Sequence, residues 1–584
     1  MATTNFETGT TIVKEWLNDV DSHVYNQDSD PHPQYALDTT LAASSGSSLV
    51  GYLPAGTGAV ATNVQSKLRE SVSVDGYSSL QEAANQAVLV NRPLELMGGI
   101  YEVSTLTLTN PLEIVGRGTI KKTAGTTGHL ITTSSDLKIS GQITLDQNAA
   151  NCPNPSVSYN TDCTINHTGG TLVLDGVTCL TSLSSNINSS ATKELTLNNC
   201  RVTGGWLCVR AVVASTCRVQ ITGGKYASSS VYDNIQVLNS LSYLIDGIES
   251  CDSKMAGIVA SNAATHGVIS NNHVHGNRLD VPSGEGGSGI VCSVSVGKTT
   301  ITGNICRNNW KSSIQVDTTT DLGASTDAYI VINGNVCDGE NTLSGTTYAT
   351  SGVIINGAQK ATISNNIIRK SNQGMQIEDS NNLVISGNSV EDVADGYFIQ
   401  LVRVTGATVS GNNLSVCTGG GGSGAVEFNT CSNINFTGNS IYSMTGERNS
   451  IKVTATTDYT ITNNYINKES ASSAYMLWIS GVCTNGYIAN NRFKSSLAAW
   501  QYYINANGAT VTGTITKSNE ITCTGVQTNP NRYIYNGTAI VADGDTINGV
   551  KDYWSAAPTI CAVKQGQVAG IAGALKMWNG SAWV

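Results

Sequence analysis

The chain has 584 residues and a net charge of −10, yet only 13% of its residues are charged, about half the usual share. At this length a single globular core has stopped growing, so the chain is either several domains or a repeat array; abundant Gly (60) with scarce Pro (10) favours many short strands and tight corners. Its 32 basic residues form no run or stripe that could track a phosphate backbone, and no signal-like N-terminus or long apolar stretch occurs, so the reading is cytoplasmic synthesis, no nucleic-acid partner and no membrane insertion.

Along the chain, the first distinctive strings are DSDPHPQYALD (28–38) and LVGYLPAGTGAVATNVQSKLRESVSVDG (49–76). They are followed by SSLQEAANQAVLVNRPLELMGGIYEVSTLTLTNPLEIVGRGTIKK (78–122). The first resembles the DPHPQY motif of phage tail-fibre and tailspike N-terminal regions. The second is similar to the GTGAV…TVQxKLRExVSVKDFGA segment that leads into the body of many phage tailspikes. The third resembles the start of pectate-lyase-superfamily β-helices, where a short helix caps the barrel. The likeness departs at Asp75-Gly76-Tyr77, where the family usually has Asp-Phe-Gly-Ala, and in lacking a long GDGxTDDT stretch. The resemblance implies an all-β, right-handed, single-stranded parallel β-helix assembled as a homotrimer. It implies a virion-attachment region at 1–40 that meets phage tail or baseplate proteins, a neck at 41–72, a β-helix body at 73–520 and a C-terminal capping and trimerisation module at 521–584. The setting it implies is the tail of a virion, and the partner a capsular or lipopolysaccharide glycan of a bacterium.

From residue 267 onward a phrase recurs: alternating residues, a Gly-Asn or Asn-Asn pair, and another alternating pair. Examples are GVISNNHV, TITGNIC, ATISNNII, ATVSGNNL and YTITNNYI. The second residue of each pair is Asn272, Asn304, Asn335, Asn366, Asn388, Asn412, Asn439, Asn464 and Asn491, at spacings of 22 to 32. Fainter copies run back through Gly247, Gly224, Asn199 and Gly176. Strands of four or five residues with a Gly or Asn at a corner needing φ > 0 are what a parallel β-solenoid requires. The Asn column is read as structural, its stacked amides satisfying one another and the backbone. Two residues further on, Val274, Cys306, Cys337, Ile368, Val390, Leu414, Ile441, Ile466 and Phe493 form an inward apolar stack. This stack accounts for part of the 15 cysteines, which are odd in number, lack CxxC pairs and are read as free thiols.

Between the corners a second strand aligns as IQV, IVA, IVC, IQV, VII, MQI, IQL, VEF and IKV, beginning at 235, 258, 290, 314, 353, 375, 399, 426 and 451. Its central residues point outward, giving a polar column with Gln236, Gln315, Gln376, Gln400, Glu427 and Lys452 that can hydrogen-bond sugar hydroxyls. The three longest rungs carry their extra residues beside this strand, as expected of a binding face. The acidic candidates there are Glu285, Asp317, Asp338, Glu340, Glu378, Asp379, Asp392, Asp395 and Glu427.

Glycoside hydrolysis needs two carboxyl groups. Residues two rungs apart on one column lie roughly 9 to 10 Å apart, near the ~6.5 to 9.5 Å of inverting enzymes. Glu378 with Glu427 and Asp317 with Glu378 are expected to meet that spacing, so the catalytic candidates are Glu378, Glu427 and Asp317, then Asp395. Substrate-binding candidates are Gln315, Gln376, Gln400, Trp310, Tyr397, Arg403 and Lys452.

His266, His273 and His275 cluster beside one corner but lack Cys or acidic partners at zinc-ligand spacing, so no metal or other cofactor is expected. The tail loses the Gly-Asn rhythm and carries Trp554, Trp578 and Trp583, read as capping and trimer-locking residues. The function expected is endo-glycosidic cleavage of a bacterial surface polysaccharide. A non-catalytic receptor-binding spike and a polysaccharide lyase, the latter using Tyr397, Lys452 or Arg403, stay open beside it.

Overall fold

The computed structural model describes residues 50–52, 62–68, 70–153, 158–261, 266–277, 287–293, 297–318, 328–339, 351–394, 396–417, 424–444, 449–469, 475–495, 502–506 and 509–523, and short segments between 532 and 577. The chain enters through an α-helix, Leu80–Val90, which turns Leu80, Ala83, Ala84 and Ala87 onto the first rungs. Its ends follow ordinary chemistry. The Ser79 hydroxyl accepts the N–H of Glu82 at the N-cap, and Asn91 closes the C-cap at φ 52°.

Each later turn of the chain contributes three short parallel strands, one to each of three sheets. Sheet I holds the strand before the Gly/Asn corner (for example His266–Ser270), sheet II the strand just after it (His273–His275) and sheet III the next one (Ile290–Ser293). Every strand pairs in parallel with its counterpart one rung on. Seventeen strands stack in sheet III among the described residues, which makes a rod roughly 80 Å long at ~4.8 Å per rung. Parallel pairing runs on past residue 520 through Arg532–Tyr535 and Ile540–Asp543 to Ala562–Val563, and a small antiparallel hairpin, Val568–Ile571 with Ala574–Met577, follows.

In the opening rungs one long strand serves sheets I and II together, bending at glycine instead of breaking. A Cβ on Gly116 would lie 2.3 Å from the Leu96 carbonyl oxygen, and one on Gly141 the same distance from that of Gly116. Only glycine lets these bends stack.

Further along, the bend sharpens into the corner that the sequence marks, and the two residues of each pair do different work. The first takes the left-handed conformation, as at Asn271 (φ 55°), Gly303 (66°), Asn365 (55°) and Gly387 (66°). The second is buried, at most 1% exposed from Asn272 to Asn491, and joins a ladder of amides. Asn388 is representative. Its Nδ2 donates to the Ile363 carbonyl (2.9 Å) and to Oδ1 of Asn412 (2.9 Å), while its Oδ1 accepts the backbone N–H and the amide of Asn366 (3.0 and 2.9 Å). The ladder continues rung by rung through Asn519, whose amide reaches the buried carboxylate of Asp545. The Asn column is thus structural, as its repetition predicts.

The core is the interior of the rod. Val274, Cys306, Cys337, Ile368, Val390, Leu414, Ile441, Ile466 and Phe493 are each at most 1% exposed, as the inward stack predicts; burying each of the larger ones is worth about 1.5 to 3 kcal/mol. All thirteen described cysteines are buried and free. Burial pushes up thiols such as those of Cys179, Cys306 and Cys292, the last to about 12, and buried thiols act as small hydrophobes.

Candidate functional site

Sheet III carries the outward column that the sequence predicts, in the predicted register. Gln236, Val259, Val291, Gln315, Ile354, Gln376, Gln400, Glu427 and Lys452 pair rung to rung without a slip. Inward neighbours such as Ile314, Val316, Met375, Ile377, Ile399 and Leu401 are fully buried; the pleat alternates sides, so the residue between each pair must face out.

The column reaches beyond the triplets at 235–237 and 451–453 in both directions. Below Gln236 come Arg210, Asn188 and Asn166, and the Arg210 guanidinium lies 4.0 Å from the ring centre of Tyr159. Above Lys452 comes Trp478. The Lys452 ammonium sits 5.0 Å from the Trp478 ring centre, and the buried indole N–H of Trp478 has no hydrogen-bond acceptor among the described residues. The alternation in MLWIS (476–480) could have revealed Trp478.

A second outward column runs beside the first, two residues along each strand, where Asp317, Asn356 and Glu378 occupy successive rungs. The two columns are cross-braced. Gln315 donates to Asp317 (2.7 Å) and Gln376 to Glu378 (2.7 Å), while Asn356 bridges from its own rung to Asp317 (2.7 Å). Arg403, in the left-handed conformation at φ 54°, leans over the edge and donates to Glu378 (3.1 Å) and, through two nitrogens, to Asp379 (2.6 and 2.8 Å). The guanidinium holds the Asp379 carboxyl below its ordinary value.

Glu427 is held differently. Its side chain is 5% exposed and lies 3.2 Å from the Lys452 ammonium, with the Gln400 amide at 3.4 Å. A buried carboxylate survives because that cation and that donor face it.

Asp317 and Glu378 share a column two rungs apart, roughly 9 to 10 Å between positions, as expected. Glu378 and Glu427 are also two rungs apart but in different columns, since Glu427 stacks over Gln400 and Gln376. The shift of two residues along the strand widens their separation to roughly 12 Å. That pair does not meet the predicted geometry.

Two further acids leave the face altogether. Asp338 and Asp392 belong to sheet II strands, and Asp338, fully buried, is gripped by Arg369 at 2.8 and 3.0 Å. The sequence shows how far each acid lies from a corner, but not that the short strand after the corner turns onto another sheet.

Trp310 and Tyr397 sit half-buried where the chain enters sheet III, Trp310 against Gly287, whose absent Cβ leaves it room. Asp395, Glu285 and Glu340 lie outside the described residues, as do most of the three long insertions. The described ends of those insertions flank sheet III. Residues 277 and 287, and 339 and 351, lead into it, whereas 318 and 328 lead out.

Residues 322–466 match the model of the family described as right handed beta helix region. No curated protein sequence matches the chain. Among solved structures, it is similar to tailspike protein 3 of bacteriophage CBA120, at 11% identity over 94% of this chain and 75% of that one with a TM-score of 0.32. It is also similar to a tailspike protein of E. coli bacteriophage HK620 in complex with a pentasaccharide, at 12% identity over 85% and 84% with a TM-score of 0.25. A third similar structure is a DFA-IIIase of Arthrobacter chlorophenolicus A6, at 11% identity over 63% and 90% with a TM-score of 0.30. Among the described residues no helix is long and apolar enough to cross a membrane.

Proposed function

We propose that this right-handed β-helix is the body of a phage tailspike that binds a bacterial capsular or lipopolysaccharide glycan along sheet III and cleaves it by endo-glycosidic hydrolysis. The observation that carries the reading is the double polar column from Gln315 to Trp478. It is a long, flat, half-exposed row of amides and charges ending at an aromatic ring, laid along one face whose entries and exits bear the long insertions. An extended chain of hydroxyls with intermittent apolar sugar faces is the ligand class that such a surface complements. The strings at 28–38 and 49–76 support a place on the virion tail, with the N-terminal region meeting tail or baseplate proteins and the body working as a homotrimer.

For catalysis the pair is Asp317 and Glu378. One protonates the departing glycosidic oxygen, the other activates water on the opposite side of the ring. Gln315, Gln376 and Asn356 hold both carboxylates in place, Arg403 clamps Glu378, and Glu427 with Lys452 and Trp478 extends the binding surface. A second reading, a receptor-binding spike without cleavage, is favoured by one feature: each of the three described carboxylates already has amide or cationic partners.

The test is mass spectrometry of the products formed when the full-length protein meets polysaccharide from its host. Fragments carrying an added water, lost in Asp317→Asn and Glu378→Gln, support the proposal. Unsaturated fragments lacking that water mean a lyase, and bound but intact polymer means an adhesin.

A further inference from the structure

On the outer face of sheet II, away from the polar columns, two rungs bring together residues that the sequence keeps 22 to 26 positions apart. Glu249 pairs with His273 and Cys251 with His275. His275 Nε2 lies 3.3 Å from Glu249 Oε1, and the ligand atoms of Glu249, Cys251 and His275 all fall within 4.8 Å of one another. The His273 ring stacks beside that of His275 with centroids 4.3 Å apart. Along the sequence the histidines have no Cys or acidic partner at zinc-ligand spacing, and the rung below supplies both.

We infer that Glu249, Cys251 and His275 form a binding site for a divalent transition metal of the zinc class, with its fourth position open to water on the His273 side. Zinc holds a thiolate at ~2.3 Å and imidazole or carboxylate at ~2.0 to 2.2 Å in a tetrahedron, which places its ligands ~3.3 to 3.8 Å apart. The three donors are at or about 1 Å from that spacing, within reach of side-chain rotation. Thiolate plus imidazole is a donor set for zinc, cobalt or nickel and a poor one for calcium or magnesium.

The site is accessible where it must be. Glu249 and His275 are 36% and 29% exposed, and Cys251 backs them from below. On binding, Cys251 gives its thiol proton to solvent and coordinates as thiolate, His275 binds as neutral imidazole, and Glu249 exchanges the ammonium of Lys225, now 2.7 Å away, for the metal. Lys225 is a competitor, but its ion pair with Glu249 is exposed and therefore weak. The metal would tie two rungs directly below the first long insertion, which leaves sheet II just after His275.

The experiment is a titration of the full-length, metal-free protein with cobalt(II) chloride, followed by zinc. The expected result is one cobalt per chain with a thiolate-to-cobalt charge-transfer band and the intense visible bands of tetrahedral coordination, both abolished by zinc and absent in Cys251→Ser and His275→Asn. Lys225→Met touches no core position and removes the competitor, so it should bind up to about fivefold more tightly, the most that an exposed ion pair is worth. A wild-type protein without the thiolate band, or a band that survives Cys251→Ser, overturns the inference.

Discussion

Two columns of stacked side chains run side by side along this rod from Asn272 onward, and they differ in every respect except geometry. The corner column repeats one residue type, is buried, and satisfies each amide from the rungs above and below. The sheet III column changes identity from rung to rung and is mostly half-exposed. Some of its polar groups, Gln315 and Gln376, are satisfied sideways, by neighbours two residues along the same strand. Sameness with burial marks a scaffold, because a buried amide tolerates no rung that fails to answer it. Variety with exposure marks a surface shaped to something outside the chain.

The contrast breaks most visibly at the scaffold. Asn388→Ala should lower stability by about 3 to 5 kcal/mol, since it strips the acceptor from the Asn366 N–H and the donor from the Ile363 carbonyl in a dry interior; denaturant unfolding measures it, and a loss under ~1 kcal/mol would mean that the ladder is decorative.

Burial without a repeated partner is the next case. Burial pushes the Asp233 carboxyl up to about 7, opposed by the backbone N–H groups of Ala256 and of Asp233 itself. The fold thus prefers the neutral acid. Stability is full below the unfolded value of 3.8 and falls as pH rises through 7. Asp233→Asn keeps an acceptor for Ala256 and should stabilise the protein at pH 8 by on the order of 2 to 4 kcal/mol with little change at pH 4; equal melting shifts at both values would refute this.

On the recognition side the effects shrink. Lys452→Met leaves Glu427 buried beside a single amide and should cost about 1 to 3 kcal/mol, recovered when Glu427→Gln is added. Gln400→Ala should change stability by less than about 0.5 kcal/mol while weakening glycan binding a few-fold, as read by calorimetry with host polysaccharide. If Gln400→Ala unfolded the protein and Asn388→Ala did not, the division between the two columns would collapse.

The corner was readable from sequence because it repeats. A Gly-Asn or Asn-Asn pair between alternating runs states both the bend and the buried amide, and the nine aligned triplets of sheet III fall in true register for the same reason. What the triplets concealed is that several strands extend one pleat further, so that Asp317, Asn356 and Glu378 form a column of their own and Glu427 stands apart from Glu378. Asp338 looked like a groove acid, yet the short strand after the corner carries it onto sheet II. Contacts between rungs leave no local mark at all. Cys251 and His275 are 24 residues apart and become neighbours only through pairing, which no periodicity in one strand announces.

The amide ladder also has a direction. Each Asn hands its backbone N–H and one Nδ2 proton onward and receives the same from behind, its other Nδ2 proton going back to a carbonyl of the preceding rung, until Asn519 gives its backbone N–H (2.6 Å) and its amide (3.0 Å) to Asp545. A carboxylate only accepts, so among the described residues the row ends on a group that hands no proton onward. Between its ends every rung shows the same socket on one side and the same plug on the other. Evolution can therefore lengthen or shorten this molecule by whole turns, splicing at any Asn, so long as the last unit in the row remains an acid.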